Sequence, residues 1–441
     1  MSHSEMPRSG MPPTAAARGR RTTAGARPAS SARLPVRHQG AVPPYLLERL
    51  ATCDQRRARA LRGEGPPNGW ADDTRGIEAV AELARRTLLA DERMRAQRGA
   101  HTRDAKHQIL VEPGTLRREI SDADNTERLP GKPVRKEGQD PVADVDVNRA
   151  YDGLGDTYRF LEEVFRQSSI DGAGLALEGS VHYGVGYDNA FWDGTRMVFG
   201  DGDGKVFASF TSSLSIIAHE LGHGLLQHTT DFSYEGQSGA LNESFADVFG
   251  VLVEQFVRGD TAESASWIVG EGIFLPGIKG LGVRSLKAPG TAYDDPALGK
   301  DPQPDHMEGY VRTRDDNGGV HLNSGIPNHA FYLVAAELGG HAWEKAGRIW
   351  FETVALRKLP LDVDFRGFAR ETVRVARSLF GRESAEEKAV RAGWRGVGIT
   401  VRLTETGKAG NGKTGNGNNG RGPGAEGNGA NGRGKGPRAK G

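Results

Sequence analysis

The apolar positions fall into three stretches, one of β-type and two of helical periodicity. Between residues 109 and 210 they sit among Gly and Asp in short β-forming runs, Ser180-Val181-His182-Tyr183-Gly184 and Thr195-Arg196-Met197-Val198-Phe199-Gly200. Such runs predict short strands and turns, interrupted by one helix over about 147–167. From Thr211 the spacing turns helical, with Leu214, Ile217, Leu221 and Leu225 on one face. Thr211, Ser212 and Ser213 offer N-caps for that helix. A second helix is predicted over about 240–258, carrying Leu241, Phe245 and Val248, and further helices over 325–395. Upstream, Tyr45, Leu46, Leu47 and Leu50 begin an apolar cluster, and Ile77, Val80, Leu83, Leu88 and Leu89 mark a helix over 77–97. The polar stretch 98–108 reads as an exposed connector, where a protease would cut. This order predicts an α+β chain with a β-rich lobe (109–210) and a helical lobe (211–403), preceded by a separate unit (41–108).

The two ends change the picture of the remainder. Residues 1–40 hold seven arginines against one acid, and 404–441 are Gly/Asn/Lys repeats without a large apolar residue. Both are expected to be disordered. The whole 441-residue chain is only +1, so the centre between its basic ends is acidic. That balance argues against a specific nucleic-acid partner. The single cysteine, Cys53, excludes an internal disulfide. No apolar run approaches membrane-spanning length. No apolar stretch follows Arg20 and Arg21, so the N-terminus does not read as a conventional secretory signal.

Chemistry concentrates at His219-Glu220-Leu221-Gly222-His223. On a helix, positions i and i+4 share a face, so both imidazoles can reach one metal ion and Glu220 can act as base beside them. A catalytic zinc needs three protein ligands and an open position. Glu243, 20 residues after His223, is the candidate third ligand, and Asp247, one helical turn on, could accept the free N–H of a ligand histidine. The three-histidine alternative requires Gly at 226 and His at 229; this chain has Leu226 and Thr229.

Together with Asn189-Ala190-Phe191-Trp192, Gly200-Asp201-Gly202-Asp203-Gly204, residues 239–247 and the run Asp316-Asn317-Gly318-Gly319-Val320-His321, these segments resemble the thermolysin family of zinc metalloendopeptidases over roughly residues 115–400. Pro43-Pro44-Tyr45-Leu46 is similar to the short propeptide of the protealysin-like branch. The resemblance implies a two-lobed fold with a zinc cleft between the lobes. It also implies roles for individual residues. Tyr234 and His321 would donate to the oxyanion, with Asp316 orienting His321. Arg284 would bind the substrate carbonyl, and Asn189 and Ala190 the substrate backbone. Phe207, Phe210, Ile216, Val269, Ile273 and Val283 would line an apolar pocket for the residue after the cleaved bond, with bulky Phe210 shortening it. The implied product is a neutral endopeptidase cutting before large hydrophobic residues and made as a self-processing precursor. Protein or peptide substrates and its own propeptide would be its partners, and a monomer is expected.

At calcium the chain departs from the family. Glu254 and Glu271 remain, but Ser215, Ser266, Ile268 and Leu281 stand where acids are expected, so calcium binding should be reduced. A sharper idea, that the Cys53 thiolate ligates zinc in the precursor, competes with plain packing. Two other functions compete: an aminopeptidase on a related scaffold, or a non-catalytic protein keeping the fold. Without a signal sequence the chain is expected to be cytoplasmic or non-classically exported, with secretion as the family alternative.

Overall fold

The short β-forming runs pair into a five-stranded sheet in the computed structural model, which describes residues 40–56, 74–101, 114–355 and 359–403. Residues 1–39 of the predicted tail 1–40, the tail 404–441 and most of the predicted connector lie outside the described residues, while Gly40, expected in the disordered tail, is buried. The strands are β1 (Arg118–Asp122), β2 (Lys132–Lys136), β3 (Leu177–Val181), β4 (Ala190–Trp192) and β5 (Met197–Phe199), in the order β2-β1-β3-β5-β4. β3 pairs parallel with β1 and β5, while β2 and β4 are antiparallel edges. Every residue of β4 and β5 is buried, which is why these runs are continuously apolar rather than alternating.

Among the described residues, α1 (Pro44–Ala51) and α2 (Thr74–His101) precede the sheet. α2 extends past the predicted 97 into the segment read as connector. Its Ala90 and Met94 pack on Tyr183, Tyr187, Phe191 and Val198 of the β-rich lobe. Cys53 is buried, with Sγ 3.6 Å from the Ile77 carbonyl, so it packs between the two helices rather than at the metal residues. The zinc-ligand idea for Cys53 is thereby corrected: its role here is that of a small apolar residue. The helix predicted over 147–167 is α3 (Val145–Phe160), continued by a π-helical turn to Phe165. Asp144 caps it by accepting from the Asp146 and Val147 amides.

The helical lobe is built on the crossing of α4 (Leu214–His228) and α5 (Gly236–Arg258). Glycine permits a close approach on both helices. A Cβ on Gly222 would lie 3.0 Å from Ala246 Cα, and one on Gly250 would lie 2.3 Å from the Ser215 carbonyl. Ser213 stands at the N-cap of α4, yet its hydroxyl bonds no helix amide; it pairs with the Ser215 hydroxyl at 3.1 Å instead. α6 (Asp316–Asn323), α7 (Gly325–Leu338), α8 (Arg348–Ala355), α9 (Phe365–Phe380) and α10 (Ala385–Gly396) complete the lobe. Their core stacks Trp350 on Trp394, whose indole N–H donates to Thr372 at 2.9 Å. Among the described residues no helix is long and apolar enough to cross a membrane.

Candidate metal centre and cleft

Because α4 and α5 touch at glycine, side chains from both meet in a buried space. His219 and His223 project from α4 and Glu243 from α5, all at 0% exposure. His219 Nε2 lies 3.1 Å from His223 Nε2 and 3.6 Å from Glu243 Oε2, and His223 Nε2 lies 3.5 Å from Glu243 Oε1. Three donors held tetrahedrally at zinc bond lengths would be about 3.3 Å apart. The trio therefore fits a zinc ion as it stands, and Glu243 Oε2 makes no hydrogen bond of its own.

Each histidine has a partner on its far nitrogen. Asp247 Oδ1 is 2.9 Å from His219 Nδ1, and Asn242 Oδ1 is 2.7 Å from His223 Nδ1. These contacts set which nitrogen faces the metal position. Asp247 also takes Arg284 (on a two-residue strand, Arg284–Ser285) in a two-pronged contact of 2.8–3.0 Å, and Asn328 of α7 donates to it at 2.8 Å. Burial alone would raise the Asp247 pKa, but Arg284 and then His219 hold it well below the usual carboxylate range.

The sequence Asp316-Asn317-Gly318-Gly319 explains how His321 arrives. All four residues have positive φ, between 48° and 83°, a left-handed run that only a Gly- and Asn-rich segment tolerates. The run folds Asp316 back so that its carboxylate accepts from the His321 amide at 2.8 Å and lies 2.6 Å from His321 Nδ1. Burial opposes charge on His321, but Glu243 and Asp316 outweigh it and raise its pKa. His321 Nε2 is 3.4 Å from the Tyr234 hydroxyl, which donates to Glu243. Glu220 Oε2 accepts the Trp192 amide at 3.0 Å, tying the base to the β4 edge.

That edge carries a guest from the same chain. The Ala41 amide donates to the Ala190 carbonyl at 3.1 Å, and the Ala41 carbonyl accepts from Arg284 Nη1 at 2.7 Å. Val42 is held in both directions by the Asn189 amide, at 2.9 and 3.3 Å. Gly40 runs so close that a Cβ there would sit 2.1 Å from the Ala190 carbonyl. Helix α2 braces the arrangement. Asp91 accepts from the Tyr187 hydroxyl and, at 3.2 Å, from Asn189 Nδ2, and Thr87 accepts the Asp188 amide at 3.0 Å. Ile216, Ile273 and Val283 converge on Gly270, while Phe210 lies beside Phe207 with ring centroids 5.7 Å apart. All six residues expected to line the apolar pocket are at most 1% exposed. Sequence reasoning missed Asn242, Asn328 and Gly40–Val42.

An HExxH helix crossed by a glutamate helix beneath an edge strand defines a gluzincin-type metallopeptidase. The chain belongs to the thermolysin metallopeptidase family and is a zinc metalloendopeptidase of it. The family's catalytic domain matches residues 79–227 and its alpha-helical domain residues 230–399. An extracellular metalloprotease of Pectobacterium carotovorum is 46% identical over 82% of this chain and 96% of its own length. Protease PrtS of Photorhabdus is 53% identical over 65% of this chain and 78% of its own. The solved precursor of protealysin from Serratia proteamaculans is 45% identical, with a TM-score of 0.71 over 82% of this chain and all of that one. The chain is thus thermolysin-like and of the protealysin-like branch.

Proposed function

We propose that the protein is made as a latent precursor in which residues 41–108 are a propeptide, and that it matures by its own endopeptidase activity. The observation that carries this reading is the backbone pairing of Ala41 and Val42 with Arg284, Asn189 and Ala190, the positions expected to hold a substrate. His219, His223 and Glu243 would hold the zinc, which when bound polarises the scissile carbonyl and acidifies the attacking water. Glu220 takes the water's proton and passes it to the leaving amine. His321 and Tyr234 donate to the developing oxyanion, a donor of this kind being worth about 2.7–4 kcal/mol. Asp316 holds the His321 ring, and Asp247 holds both His219 and Arg284. Phe210, Ile216 and Val283 supply apolar contact for a hydrophobic residue following the cut.

Calcium binding is reduced in this reading. Arg258 reaches Glu271 at 2.6 Å and Glu254 at 3.0 Å, so a guanidinium meets the two retained acids. Ser215 contributes a hydroxyl that accepts the Gly270 amide at 3.1 Å. Two relatives are named as extracellular metalloproteases, which favours export over the cytoplasmic expectation. The test compares the wild-type precursor with Glu220→Gln. The wild type should shorten to a form beginning between residues 95 and 115 and hydrolyse casein, while Glu220→Gln should stay full-length and inert. A processed wild type without activity would favour the non-catalytic alternative. N-terminal sequencing of protein from cells and from medium settles compartment and cut together.

A further inference from the structure

Two carboxylates outside the zinc centre are neighbours in the β-rich lobe: the Gly202 amide donates to the Tyr187 carbonyl at 3.2 Å, which sets Asp188 beside Asp203. Asp188 immediately precedes Asn189, and Asp203 lies in the glycine-rich loop that leads to Phe207. Asp188 is at 0% exposure, and neither of its side-chain oxygens has a hydrogen-bond partner. Asp203 spends Oδ1 on the amides of Lys205, Val206 and Phe207, at 2.9, 2.7 and 3.0 Å, and its buried Oδ2 has no partner. Burial first, and then Asp203, push the Asp188 carboxyl well above the usual range; the Asp203 amide pulls the other way. A buried polar atom left unpaired costs about 1–3 kcal/mol, more if charged. Three such oxygens on two neighbouring residues therefore call for a common ligand.

We propose that Asp188 and Asp203 bind a hard divalent cation of the calcium class, with Asp188 as a two-oxygen ligand and Asp203 contributing Oδ2. The oxygen count separates this from a shared proton. A proton bridging the pair occupies one oxygen of each, leaves the second Asp188 oxygen only the pull of the Asp203 amide and leaves one negative charge uncompensated, whereas a cation uses all three oxygens and matches their two negative charges. The remaining positions of a 6–8-fold shell fall to main-chain carbonyls and solvent. The site is separate from Glu254 and Glu271. It joins the loop before the Asn189 edge to the loop before Phe207, and it lies under the Thr87 contact of α2. An ion there would brace the residues that hold Val42.

The test uses the full-length zinc-loaded chain carrying Glu220→Gln to prevent self-digestion and Glu271→Gln to disable the other carboxylate pair. After equilibration with calcium and gel filtration, atomic emission should find one calcium per chain, and none when Asp188→Asn or Asp203→Asn is added. Retained zinc reports that those variants fold. Terbium is the second probe: bound beside Tyr187 it should show tyrosine-sensitised emission, most of which Tyr187→Phe removes. A calcium-free parent chain, calcium retained in folded Asp188→Asn, or emission indifferent to Tyr187→Phe would each overturn the proposal.

Discussion

Replacing Asp247 with alanine should unsettle two things at once, the buried charge of Arg284 and the orientation of His219. Its carboxylate and the Arg284 guanidinium are both at 0% exposure and meet through contacts of 2.8–3.0 Å. Removing one partner of a buried pair costs about 3–5 kcal/mol, because the other charge stays buried. In the precursor Arg284 keeps one acceptor, the Ala41 carbonyl at 2.7 Å, and a hydrogen bond to a charged group is worth about 1.5–3 kcal/mol. The expected loss is therefore near the low end, about 3 kcal/mol, and near 5 kcal/mol once residues 40–42 are gone. His219 also loses its orienting carboxylate, which should weaken zinc about 10–100-fold. At fixed free zinc that adds about 1.4–2.7 kcal/mol. Urea unfolding at two buffered zinc concentrations, in the Glu220→Gln chain, separates the two contributions. The double change Asp247→Leu/Arg284→Leu removes both charges and should be far milder than Asp247→Ala. A single variant losing under about 1 kcal/mol, or a double variant losing as much as the single, would refute the argument from uncompensated charge.

Two further outcomes follow from residues that are not themselves metal ligands. His182 lies 2.8 Å from both Asp201 and Asp144, and its pKa is raised to about 9, by Asp201 first and against the pull of burial. A raised folded-state value means the contribution is complete below the unfolded value of about 6.5 and is lost as pH climbs through about 9. Because its partners are a third or more exposed, the effect should be about 1 kcal/mol, read by denaturant titration at both pH values and abolished by His182→Gln. Gly250→Ala puts a methyl 2.3 Å from the Ser215 carbonyl and should cost about 1–3 kcal/mol or more, with a lowered zinc content by atomic emission as α4 and α5 are pushed apart.

The helices and the three metal-binding residues could be read along the chain because their signals are local. His219 and His223 share a face by periodicity, and Glu243 borders the apolar stripe of the next helix. Asn242 and Asn328 were not legible, since each acts across a helix–helix contact that no single segment records. Gly40-Ala41-Val42 shows no periodicity; its meaning comes from the edge strand it meets, about 150 residues away in the chain. Asp188 does not stand out in the sequence, because its burial is not visible in composition. Ser213 shows the opposite error: a good cap residue by type found a neighbouring hydroxyl instead. The Glu254–Arg258 pair was open to reading at i,i+4, but Glu271 joins it only through the fold.

The strand at Gly40–Val42 also has a consequence for concentration. Any peptide drawn to Arg284, Asn189 and Ala190 must displace it, because its backbone already takes those groups. While the strand belongs to the same covalent chain, its local concentration is set by the tether and can reach the millimolar range. Dilution then leaves the block intact, and ordinary substrate levels compete poorly. A single cut between strand and catalytic lobes turns the same contacts into a two-body equilibrium. From that moment the fraction of open clefts rises as the protein is diluted.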